Sequence, residues 1–140
     1  MWVDSRGSTV LAAPECRRLL ALAAMEARIG RIGIATDQAP VVVPVNFGVR
    51  EGDICVRVGP GFLARTAAGH LVAFEVDRVS RSEGEAWSVL VRGLAHLIEE
   101  PDADDMAALP HPQVHFPGTM FLVIRPDVVT GRRFELLSRP

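Results

Sequence analysis

Asn46 sits where a side chain can do chemistry. It belongs to the run from Val41 to Val49, in which Val41, Val43, Val45, Phe47 and Val49 share one face and Val42, Pro44, Asn46 and Gly48 share the other. A face of Pro, Asn and Gly suits a dry core poorly. An Asn amide with uncovered backbone beside it can satisfy the polar edge of a bound small molecule. An Asn that caps a turn or bonds a neighbouring strand fits the same pattern. Further on, Arg57 and Arg65 flank the loop that holds Val58, Gly61, Phe62 and Leu63. Taken by themselves, these two are solvated surface arginines. No Ser, His and Asp stand in nucleophilic order, no carboxylates are paired along the chain, and neither cysteine has an activating setting. Acid-base or nucleophilic catalysis by side chains alone therefore has no support. His111 and His115 are spaced for one helical face, but Pro112 breaks that helix, and a metal site there is not expected. His70 and His96 stand alone and are read as structural.

The elements that position these residues must come from one domain, because 140 residues are enough for one core and too few for two. Apolar residues make up 49% and charged residues 23%, the balance of an ordered globular chain. With 15 Lys and Arg against 17 Asp and Glu the formal charge is -2, so neither nucleic acid nor an acidic membrane is an expected partner. Cys16 and Cys55 lie in apolar surroundings and read as buried free thiols. The first dozen residues lack the apolar core of a signal peptide, and no run nears the roughly 18 apolar residues of a membrane span. The expected location is the cytoplasm.

Residues 1–12 show no periodicity and read as a flexible N-terminal arm, with Val10 and Leu11 pinning its end; residues 13–140 form the domain. A helix is predicted from Pro14, with Cys16, Leu19, Leu20, Ala23, Ala24 and Ala27 on one face and Gly30 as its stop. Strands follow at 31–35, 41–49, 54–58, 72–76, 86–98, 120–124 and 132–136, with a short helix at Phe62 to Ala68. Trp87, Val89, Val91, Ala95 and Leu97 share one side of the long strand, and Gly93 marks a bend or bulge. A short helix is expected at 101–108, a proline-broken loop at 110–118 and a Pro-Asp turn within 125–131. Six or seven antiparallel strands with few helices close most naturally into a β-barrel, which removes exposed edges; a sandwich uses the same strands.

The ordered series Arg28 to Ile34, Pro44-Val45-Asn46-Phe47, Phe74-Glu75-Val76-Asp77, Trp87-Ser88-Val89, Val91-Arg92-Gly93 and Val129-Thr130-Gly131-Arg132-Arg133 resembles the pyridoxamine 5'-phosphate oxidase-like family of FMN-binding split β-barrels, in its small actinobacterial branch. The likeness covers about residues 14 to 134. It implies a homodimer holding two FMN molecules in clefts between subunits, with strand backbone against the isoalloxazine ring and basic or hydroxyl residues on the phosphate. The positions it implicates in cofactor binding are Pro44, Val45, Asn46, Phe47, Arg57, Val58, Gly61, Phe62, Leu63, Arg65, Trp87, Ser88 and Arg92. Trp87 walls the pocket in one reading and fills the core or the dimer interface in another. Arg92 reaches the cofactor in one reading and pairs with Glu75 or Asp77 in another.

The chain departs from the family at the phosphate. Relatives carry a Thr on the strand and a Thr-Lys pair after the glycine, where this chain has Val58, Phe62 and Leu63. The resemblance then leaves Arg57, Arg65 and the amides of Gly61 and Phe62, at the start of a short helix, to meet the phosphate; two solvated surface arginines fit equally well. The expectation is an FMN-dependent oxidoreductase acting on a small organic substrate, with no side chain assigned to catalysis. The alternatives are a flavin, deazaflavin or haem carrier without turnover, and an apo homodimer whose phosphate site is lost. The expected dimer interface is Val41 to Val49 with Trp87 to Val91.

Overall fold

A computed structural model describes residues 8–99, 102 and 120–137. Its elements run β1 (Ser8–Val10), α1 (Ala13–Met25), β2 (Ile29–Ile34), β3 (Val41–Arg50), β4 (Asp53–Val58), α2 (Phe62–Thr66), β5 (Leu71–Ser80), β6 (Glu85–Ile98) and β7 (Met120–Glu135). The strands lie in the order β1-β7-β4-β3-β2-β5-β6, and β6 also pairs with β7. That last pairing closes six antiparallel strands into a barrel and leaves β1 as an extra strand on β7. Of the expected helix at 101–108 only Asp102 is described, and the loop at 110–118, with His111 and His115, lies outside the described residues.

Alternation sets what the barrel holds. Ile32, Phe47, Val56, Phe74, Val76, Val89, Val91, Leu122 and Ile124 are all fully or nearly fully buried in one core. Phe47 and Phe74 meet edge to face with ring centroids 4.8 Å apart. The apolar stripe of α1, Cys16, Leu19, Leu20 and Ala23, joins the same core. Burial pushes the Cys16 thiol up, and Cys55 is buried as well.

Three local readings change. The helix ends at Met25 and Ala27 takes a left-handed turn (φ 54°), so Gly30 does not stop it and lies inside β2. Its missing side chain makes room for the Phe74 ring, which a Cβ there would overlap. The Pro-Asp turn is absent, because β7 runs unbroken through Pro126 and Asp127. The register shifts there against Arg92 and Gly93, which leaves Asp127 as the extra residue of a bulge. Finally, within the stretch read as an arm, Ser8–Val10 pairs with Arg132–Phe134, and fully buried Ser8 receives the Arg132 guanidinium on its Oγ at 2.9 Å.

Candidate functional site

The site begins where two strands part. β3 pairs with β4 only from Phe47 to Arg50, opposite Val56 to Asp53. Beyond that point β3 continues against β2, while Arg57 and Val58 of β4 pair with Phe121 and Met120 of β7. The backbone of Val41–Asn46 on its β4 side is thus outside the β3–β4 ladder. Pro44 and Asn46 point outward and are exposed, and Val45 and Phe47 point into the core, so the latter two can offer a ligand only their backbone.

Arg57 stands on the outer wall of β4, one residue past the last β3–β4 pair, Phe47 with Val56. Its guanidinium carbon lies 5.6 Å from the centre of the Phe121 ring. Its Nε is shut off from solvent and has no hydrogen-bond partner among the described residues. An unsatisfied buried donor costs about 1 to 3 kcal/mol, so the geometry holds a cation ready for an acceptor.

The other sequence candidates divide. Val58 and Trp87 are buried in the core at 4% and 5% exposure, so Trp87 is a core residue and walls no outer pocket. Leu63 also packs against the core, and Phe62 is exposed. The helix that Gly61 opens is a single turn of five residues, ending at Thr66 and not at Ala68, too short to present a strong dipole to an anion. Arg65 is exposed on it. Ser88 and Arg92 face outward on β6, three strands away from Asn46 across β2 and β5. At about 4.8 Å per strand that separation is roughly 14 Å, over a convex wall. Within one chain, therefore, Pro44, Asn46 and Arg57 flank the point where β3 and β4 part, and Ser88 and Arg92 lie three strands away.

Sequence reasoning missed a carboxylate pair. Glu75 and Asp77, two apart on β5, share the outer face with Arg31 of β2, whose Nη1 lies 3.1 Å from Glu75 Oε1 and 3.4 Å from Asp77 Oδ2. Burial, together with a hydrogen bond and repulsion from Asp77, raises the Glu75 carboxyl to about 7, against the pull of Arg31. Arg31, and not Arg92, is the arginine that meets these acids. The signal was the strand period: acids at i and i+2 always share a face. A groove of about 200 Å³ lies elsewhere on the wall, between Arg50, Asp53, Cys55, His96, Phe121 and Val123; it shares Phe121 with Arg57 but none of the candidates line it. Among the described residues no three metal-ligating side chains cluster, and no helix is long and apolar enough to cross a membrane.

Comparison with known proteins supplies the wider setting. The family model described as pyridoxamine 5'-phosphate oxidase matches residues 12–133. The protein called "Uncharacterized protein Rv0080" of Mycobacterium tuberculosis is 31% identical over 117 residues, covering 79% of this chain and 77% of its own. The structure of the FAD binding protein from Mycobacterium smegmatis superposes with a TM-score of 0.76 at 32% identity, covering 92% of this chain and all of that one. A heme binding protein from the same organism shares the fold alone, at 17% identity and a TM-score of 0.65, over 92% of this chain and 56% of that one. With its closed barrel, its parted strands and a match that spans nearly its whole length, this chain belongs to the pyridoxamine 5'-phosphate oxidase family.

Proposed function

We propose that the chain binds a flavin nucleotide, FMN in the first instance, at the parting of β3 and β4, and serves as a flavin-dependent oxidoreductase for a small organic substrate. The observation that carries this reading is Arg57, a cation fixed over Phe121 with a buried donor and, among the described residues, no acceptor. A phosphate oxygen is the acceptor that such a group binds best. When bound, the flavin would supply hydride or electron transfer. The chain's own part is to hold it: Asn46 offers an amide donor and acceptor to the polar ring edge, and the free backbone beside it adds more. Cofactor sites are concave, whereas Asn46 and Arg57 stand on the outside of a barrel. A second copy of the chain would supply the missing wall and bring its own Ser88 and Arg92, so the reading includes a homodimer. The test is the visible spectrum of freshly purified protein, with mass spectrometry of whatever heat releases from it. Flavin bands and a released flavin nucleotide are expected; a Soret band or colourless protein that takes up no added flavin overturns the reading.

One observation favours FAD as the nucleotide. The terminal phosphate of FMN approaches two negative charges, and Leu63 is turned to the core where relatives place a lysine. Each phosphate of FAD carries a single charge, within the reach of one arginine, and Phe62, 43% exposed, offers a face on which adenine can stack. A 32% identical neighbour is itself described as FAD binding. Parallel titrations decide: Phe62→Ala weakens FAD and spares FMN if the adenine stacks there.

A further inference from the structure

A second apolar cluster lies outside the barrel core. Cys55, Phe121 and Val123 alternate with the inward Ile54, Val56, Leu122 and Ile124, and together with Ile98 they pack as a group of their own on the outer wall. They floor the groove of about 200 Å³, whose rim is Arg50, Glu51, Asp53 and His96. The short side chains of Cys55 and Val123 are register partners across β4 and β7, and the Phe121 ring stands at one end of them. Phe121 also ties the groove to the candidate site. It is the register partner of Arg57 on β4 and of Ile98 on β6. Arg57 therefore has the parting of β3 and β4 on one side and the wall of the groove on the other.

We propose that this groove takes the adenine of FAD, with the pyrophosphate on Arg57. The proposal rests on the flavin reading above and says where the rest of the dinucleotide goes. At about 30 Å³ of liquid per water, the groove equals roughly seven waters. That is room for one purine base and not for the three fused rings of a flavin, which leaves the isoalloxazine to the parted strands. A purine has two apolar faces and a polar edge. The floor offers a thiol, an isopropyl group and the Phe121 ring; at the rim the carboxylates of Glu51 and Asp53 accept from the adenine amino group, and Arg50 can donate to a ring nitrogen. The Arg57 guanidinium carbon lies 5.6 Å from the centre of the Phe121 ring, so a phosphate held there is one ring away from the groove. Phe62 is the other place open to adenine, but it offers a single exposed face on a five-residue helix, whereas the groove walls the base on several sides.

Titration of the full chain with FAD, FMN, riboflavin and ADP, read by flavin fluorescence and by NMR of the ligands, tests this. FAD should bind about tenfold more tightly than FMN. ADP should bind without any flavin, compete with FMN for Arg57 and leave riboflavin in place. Val123→Trp, which fills the floor, should bring FAD down to the affinity of FMN, abolish ADP binding and leave FMN unchanged. Inosine diphosphate, with a carbonyl in place of the amino group, should bind the parent chain several-fold more weakly than ADP, a comparison that needs no folded variant. Phe62→Ala should spare FAD. An FAD affinity that survives in a folded Val123→Trp, inosine diphosphate as tight as ADP, or a loss of FAD alone in Phe62→Ala overturns the proposal and leaves flavin binding standing. A chain that takes up ADP and no flavin overturns the flavin reading while keeping adenine in the groove. A chain that takes up neither overturns both.

Discussion

Two arginines on the same barrel wall have opposite surroundings. Arg31 lies 3.1 and 3.4 Å from two carboxylates, and Arg57 has an aromatic face and a buried donor without an acceptor. The first is balanced, indeed over-balanced, by its own chain. The second has a donor, Nε, that no described residue accepts from. In a family defined by a shared barrel, this contrast separates an arginine engaged by its own acids from the one proposed to meet a ligand.

Reversing each charge should expose the difference. Arg31→Glu sets three carboxylates together on a partly exposed face and is expected to cost about 1 to 2 kcal/mol of stability, the lost pairs plus the added repulsion, read by urea denaturation near neutral pH. Arg57→Leu should leave stability within about 1 kcal/mol of the parent, because removing an unsatisfied donor offsets the lost stacking on Phe121. A large loss at Arg57 and none at Arg31 would invert the assignment.

The two shifted carboxyls sharpen the comparison through pH. Glu75 is raised in the fold, so the stability linked to it is full below about 4.5 and is lost as pH rises through about 7. The melting temperature should decline across that window, and Glu75→Gln should remove the decline. Glu15 behaves oppositely: its hydrogen bond to Arg18, with help from Arg133, lowers it to about 2, so its stabilisation is present above about 4.5 and fades as pH falls. These pairs are largely exposed, and Glu15→Gln should change stability by less than about 1 kcal/mol, confined to the acid limb.

Much of the barrel was legible because its strands alternate cleanly. Val45 and Phe47 inward with Pro44 and Asn46 outward follows from a period of two, and so does the inward set of Trp87, Val89 and Val91. That same rule should have ruled these three out of a dimer interface. Gly30 misled because a glycine after a helical stripe reads as a cap, when its actual partner is Phe74, far along the chain. The bulge at Gly93 was legible, but its counterpart at Pro126 and Asp127 read as a turn, since only the β6 register shows that the strand carries on. At the site, the residue types were visible and their distances were not. No sequence pattern tells that Arg57 lies over Phe121 while Arg31 takes Glu75 and Asp77, because those meetings depend on strand order.

The central claim is that Arg57 is held for the phosphate of a flavin nucleotide, and titration by flavin fluorescence quenching tests it most directly. FMN should bind the parent chain more tightly than riboflavin, which lacks the phosphate. Arg57→Ala should weaken FMN by about 1.5 to 3 kcal/mol, roughly ten- to hundredfold, and leave riboflavin unchanged, so that the two affinities converge. Equal weakening of both ligands, or an FMN affinity untouched by the substitution, would contradict the account and place the phosphate away from Arg57.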